Sequence, residues 1–210
     1  MDTNLSNTNS NNPAHWDLMI YRVPTEPASK RVSIWRELKR IGSLSLQQCV
    51  VILPHTLELS EEIDSVKQKI TEMGGEVMHI PVAALAPEDE ERTIRAFRDL
   101  RNKEYQEIIE ECESHFVREV DFERFRKNYT YEAVEEAEQN LEKIRRWYTK
   151  IIERDWFHAD LQSTANQRIQ ECQKILEIFE QDVYNQDEKE SQELNTPAEN
   201  PDAAALNLTP

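Results

Sequence analysis

The chain has 210 residues, with 25 Lys and Arg against 41 Asp and Glu, a formal net charge of −16. That length suffices for one domain of ordinary size or a small domain with an extension, and the acidity excludes a generally basic nucleic-acid-coating protein. The three cysteines, Cys49, Cys112 and Cys172, have neither the density nor the spacing of a disulfide framework or zinc site, and no apolar leader opens the chain, which points to the reducing cytosol. The longest purely apolar run, Cys49 to Leu53, falls far short of the ~20 residues of a membrane span, so no membrane partner is expected.

Residues 1–13 are rich in Asn and Ser and read as a disordered tail. WDLMIYRV, residues 16–23, combines aromatic and β-branched residues and stops at a proline, which is the pattern of a strand. A helix is predicted from an N-cap at about Ser29 through KRVSIWRELKRI, with Val32, Trp35, Leu38 and Ile41 tracking one face and Gly42 closing it. LSLQQCVVIL, residues 44–53, is long enough to fold back as two short strands. A second helix is predicted from Ser60, with Ile63, Val66, Ile70 and Met73 inward and Gly74 and Gly75 at its end, and EVMHIPV supplies a last strand. This order predicts an α+β fold over residues 14–86: a small ferredoxin-like sheet with two helices on one face.

From Pro87 to Tyr184 there is no glycine and no further proline, and the apolar residues fall into helical periods. One helix is predicted over 88–112. Two more carry the seams Val134, Ala137, Leu141, Ile144, Tyr148, Ile151 and Ile169, Cys172, Leu176, Phe179, Val183, and could pair antiparallel across a turn at Phe157 to Asp160. Residues 87–184 are therefore read as an all-helical C-terminal bundle or antiparallel helical hairpin. Residues 185–210, acidic and with three prolines, are read as a disordered tail.

Charge is unevenly spread: residues 14–60 carry six basic and four acidic groups, the one region where cations prevail. Arg36, Lys39 and Arg40 are spaced to share one face of the first helix, and Arg22, Lys30 and Arg31 extend the patch. Such a surface attracts phosphates or an inorganic oxyanion, for which arginine offers a planar fork; the plainer reading is an ordinary solvated helix face. The five histidines are scattered, and the nearest approach to a metal cluster, Asp155, His158 and Asp160, reads better as an exposed turn. There is no nucleophile elbow and no glycine-rich phosphate loop, so no catalytic residue, metal or cofactor is assigned. Cys49, within a strand run, reads as a buried, inert thiol rather than a redox sensor.

The segments WDLMIYRVPTEPASKRVSIWRELKRIGSLSLQQCVVILP, FRDLRNKEYQEIIEECE and YTYEAVEEAEQNLEKIRRWYTKIIERDWFHAD resemble the N-terminal domain of the ChrB family, chromate-resistance regulatory proteins. The likeness covers about residues 16–184; its most specific parts are YRVP at 21–24, WRELKRIG at 35–42, LQQ at 46–48 and LEKIRRWYTKIIERD at 141–155. It implies an intracellular bacterial protein, in a family where a longer relative is a chromate-responsive transcriptional regulator. Those relatives carry a second, C-terminal domain where this sequence has its acidic end, so a short form is expected.

Three functions follow as expectations. The first is a non-enzymatic regulatory binding module, in which Arg22, Lys30, Arg31, Arg36, Lys39 and Arg40 contact DNA or an oxyanion such as chromate. The second is an interaction or oligomerisation module, a homodimer being one way to cover the apolar sheet face of Met19, Tyr21, Cys49, Val51 and Leu53, and the C-terminal helices the other. The third and weakest is a metal-dependent nuclease-like protein. Ferredoxin-like units of the CRISPR integration machinery resemble this order of elements and place an aspartate near the end of the first strand; this chain has Tyr21 and Arg22 there and Asp17 at the strand's beginning, so nuclease activity is disfavoured.

Overall fold

The computed structural model describes residues 16–195. Residues 1–13 and 196–210, expected to be disordered, lie outside the described residues. The chain divides into two compact units, one extending to Ile108 and including Arg146–Asn166, the other containing Ile109–Arg145 and the residues from Gln167 onward. The region read as all-helical, 87–184, is shared between them. No described helix is long and apolar enough to cross a membrane.

The first unit is built on β1 (Trp16–Arg22), α1 (Ala28–Arg40), β2 (Leu44–Gln47), β3 (Val50–Pro54), α2 (Leu57–Glu72) and β4 (Glu76–Val82). The strands form one antiparallel sheet in the order β2-β3-β1-β4, the ferredoxin-like arrangement expected from the sequence. β1 lies centrally, with Trp16 opposite Pro54 on one side and Val82 on the other. Because successive side chains on a strand point to opposite faces, Met19 and Tyr21 share one face and Trp16 and Leu18 the other.

The face bearing Met19, Val51 and Leu53 is covered by Ile34 and Leu38 of α1, by Ile41 just after it, and by Leu59, Ile63, Val66 and Ile70 of α2. This corrects the expectation that the C-terminal helices or a second copy would cover it. The opposite face is not left bare: Trp16, Leu44 and Ile52 pack with Phe97 of α3 (Pro87–Glu110) and with Phe157. The ring centroids of Phe97 and Phe157 lie 6.1 and 5.8 Å from that of Trp16. Burial on both faces explains why β3 reads as an unbroken apolar run rather than an alternating one.

Two helix starts, and the inward face of the first helix, differ from the sequence reading. α1 starts at Ala28 after Pro27, with no side-chain cap, so Ser29 is inside the helix. Its inward set is Ile34, Leu38 and Ile41, while Val32 and Trp35 are exposed; a strict spacing of three drifts off a face whose true period is about 3.6 residues. α2 starts at Leu57, where the Thr56 hydroxyl accepts the Leu59 amide at 3.2 Å, a polar N-cap one turn before Ser60.

Gly42 follows α1 with φ +76°, and a Cβ there would stand 2.8 Å from Arg154 Cβ. Only glycine meets both demands, so this residue admits the chain segment that carries Arg154 to the site described below.

In the second unit α3 gives way to a π-helical turn (Glu111–Phe116) that leads into α4 (Val117–Phe125). Then come α5 (Tyr131–Ile152) and α6 (Gln162–Asn195), whose ends contribute to the first unit. Tyr131 Oη donates to Asp187 Oδ2 at 3.3 Å and Arg145 Nη2 to Gln173 Oε1 at 2.5 Å, which sets the two helices antiparallel there. α6 continues to Asn195, so 185–195 is helical rather than a disordered tail. Side-chain bonds one turn apart, Tyr184 to Glu188 and Gln186 to Glu190, supply local support that an apolar-periodicity reading does not register.

Candidate functional site

The six expected basic residues separate into two groups. Arg40 donates Nε to Glu37 Oε2 at 2.9 Å, and Nη1 and Nη2 to the two Glu62 oxygens at 3.1 and 2.5 Å, a fork that ties α1 to α2. These bonds, to Glu62 first and then Glu37, hold its charge more firmly than an ordinary guanidinium. Lys30 Nζ donates to Met73 O at 2.9 Å, satisfying a carbonyl at the end of α2, and Arg22 pairs with Glu76 at 3.2 Å on the surface. Arg31, Arg36 and Lys39 are exposed and have no acidic partner among the described residues. Arg36 and Lys39 stand one turn apart, and Lys39 Nζ sits 5.6 Å from the centre of the Trp35 ring.

Beside Lys39, within the first unit, opens a cavity of about 390 Å³ lined by α1, the β2 edge and α3. Its apolar wall is Leu38, Leu44, Val51 and Leu100; Tyr21, Trp35, Ser43 and Ser45 also line it, with the charged groups Lys39, Arg101, Lys103, Glu104 and Glu107. Arg101 is only 4% exposed. α3 turns Phe97 toward the sheet, and the same periodicity places Arg101, Glu104 and Tyr105 on its buried side.

Arg101 Nη1 lies 3.2 Å from Glu104 Oε2, but neither Nη1 nor Nε makes a hydrogen bond. The other Glu104 oxygen accepts from Arg154 Nη2 at 2.9 Å, and Arg154 Nε is likewise buried without a partner. One carboxylate thus serves two guanidiniums. Burial draws the Arg101 pKa below its ordinary value, opposed by the Glu104 charge. Nearby, Asp155 accepts from Tyr105 Oη at 3.0 Å and from the Ala159 amide at 3.1 Å, and the Tyr105 hydroxyl is raised by burial and by that carboxylate. Asp155 is thereby a buried structural acceptor, while His158 and Asp160 are exposed.

A second polar cluster involves residues that looked unrelated in sequence. Asp17, 2% exposed, accepts from His55 Nδ1 at 2.9 Å and His79 Nε2 at 2.7 Å, one carboxylate oxygen for each ring. Among the described residues no group of three His, Cys, Asp or Glu side chains is arranged to hold a metal ion. Cys49 sits at φ +63° between β2 and β3 and is half-buried rather than buried. Cys112 and Cys172 are buried in the second unit, where their contact and burial push the Cys172 thiol up.

Reading by motif missed Arg101, and it weighed Asp17 only as a misplaced metal ligand, missing its pairing with His55 and His79. Their signals were present as exceptions to pattern: Asp17 is a charge two residues before inward Met19 on an apolar strand, and Arg101 occupies a core position between Phe97 and Ile108.

Two comparisons bear on what this arrangement belongs to. The family model described as Protein ChrB, N-terminal, matches residues 31–190. Protein ChrB of Cupriavidus metallidurans is 28% identical over 99 residues, a match covering 47% of this chain and 30% of that protein. The ferredoxin-like sheet, the helices after it and a family match over most of the sequence place the chain in the ChrB N-terminal family.

Proposed function

We propose that this chain is a non-enzymatic regulatory binding module that takes a small oxyanion at the exposed cations of α1, in preference to duplex DNA. The observation that carries this reading is the pair Arg36 and Lys39, one turn apart, exposed and unmatched by carboxylates among the described residues, on a chain whose net charge is −16. Membership of the ChrB N-terminal family supports a regulatory role, and chromate is the oxyanion that the resemblance implies. Arg22, Lys30 and Arg40 hold the surface in place through Glu76, Met73, Glu37 and Glu62, which leaves Arg31, Arg36 and Lys39 as the contacting residues. Three cations fall short of the roughly 6–10 phosphate contacts typical of duplex binding, and the surrounding acidic surface repels a polyanion.

Calorimetric titration with sodium chromate at low salt, beside anisotropy titration with a fluorescent duplex, tests the proposal. Chromate is expected to bind saturably and the R36A/K39A variant to lose most of that binding, with no saturable duplex complex. Salt-sensitive duplex binding without a chromate response would overturn it. A second reading, self-association, draws on the exposure of Val32 and Trp35 on the same helix; a dimer in light scattering, dispersed by Trp35→Ser, would favour it.

A further inference from the structure

We propose that the cavity beside α1 is a ligand site for a planar aromatic monoanion, its acidic group received by Arg101 and its ring by Trp35 and the apolar wall. The proposal rests on the reading of the chain as an anion-binding module, and it assigns a class of ligand distinct from an inorganic oxyanion.

Size argues first. The cavity measures about 390 Å³, within the range of sites that enclose organic ligands. Since one water occupies about 30 Å³ of liquid, a bare tetrahedral oxyanion would leave most of the space wet. Lining argues next. Leu38, Leu44, Val51 and Leu100 offer an apolar wall, and Trp35, 56% exposed, presents a large unpacked ring at the same cavity. Aromatic surface of that kind is best satisfied by offset stacking with another ring.

Charge then fixes the sign and number. Three cations line the cavity, Lys39, Arg101 and Lys103, against two carboxylates, Glu104 and Glu107. Arg101 is the group with most to gain from an anion: it is almost fully buried, its Nε and Nη1 make no hydrogen bond, and Glu104 Oε2, 3.2 Å from Nη1, makes none either. A carboxylate matches the guanidinium fork in geometry and supplies the single compensating charge. Lys39, over the Trp35 ring, lines the same cavity.

The test uses the full chain and calorimetric titration with three probes: naphthalene-2-carboxylate, its neutral carboxamide and sodium chromate. The carboxylate should bind at least about tenfold more tightly than the amide, as expected for a hydrogen-bonded charge pair. Arg101→Met should abolish that preference while Trp35→Ala weakens both aromatic probes, with circular dichroism and thermal melting confirming that each variant is folded. Trp35 is exposed, so its variant keeps the test decisive if the arginine variant fails to fold. Equal affinity for acid and amide, absence of naphthoate binding, or an unchanged preference in Arg101→Met would overturn the proposal. Chromate binding lost in R36A/K39A with no naphthoate binding would defeat this inference and leave the proposed function standing. Naphthoate binding without chromate binding would do the reverse.

Discussion

Asp17 illustrates how this protein admits charge to its interior. A carboxylate on the buried face of a central strand is costly unless each oxygen is satisfied, and here His55 and His79 each supply a ring nitrogen within 2.9 Å. Replacing Asp17 by Ala removes both acceptors and leaves two imidazoles without them, at a cost of about 1–3 kcal/mol. Urea denaturation of Asp17→Ala against the parent measures this directly; Asp17→Asn, which keeps one acceptor oxygen, should recover part of the loss. Unchanged stability in Asp17→Ala would mean that the cluster contributes nothing to the fold. Arg101 follows a different logic: its guanidinium is buried 3.2 Å from Glu104, yet its Nε and Nη1 make no hydrogen bond.

At the scale of elements, the joint between α1 and α2 is fastened by ions as well as by its apolar seam. Glu37 receives Lys69 and Arg40, and Glu62 receives Arg40; these bonds hold both carboxyls below the ordinary glutamate range. A depressed carboxyl pKa contributes stability that is present above its unfolded value and is lost as the pH falls through the folded value. Both groups are partly exposed, so each contribution is a few tenths of a kcal/mol to about 1. The E37Q/E62Q variant should therefore be less stable than the parent at pH 7 and equal to it near pH 3, by chemical denaturation; a difference that persists in acid would show that the charges are not its source.

The order of elements was legible because punctuation and period agreed. Gly42 and Gly74 do end helices in the left-handed region, and the ten-residue run 44–53 does turn back at Gln48 and Cys49 as two strands. The inward face of α1 was misread because evenly spaced apolar residues include Trp35, which lines a cavity instead of the core. The basic patch was legible as composition but not as availability. Arg40 to Glu37 is a local pair three residues apart, but Arg40 to Glu62 and Arg22 to Glu76 join residues from distant positions, and no local spacing encodes those.

For the whole molecule, the balance is between a net charge of −16 and a local surplus of cations around α1 and the cavity. The global field disfavours polyanions, whereas a small anion feels chiefly the charges within a Debye length, about 8–10 Å at ordinary salt. The match to the ChrB N-terminal family covers residues 31–190 and so includes most of α1, the sheet from β2 onward, and most of the helices of both units. The most direct test of anion recognition at α1 is an amide chemical-shift map of the labelled chain during titration with sodium chromate at low salt. The account predicts saturable shifts concentrated between Arg31 and Ser45, centred on Arg36 and Lys39. Shifts confined to the second unit, or none at any concentration, would contradict it.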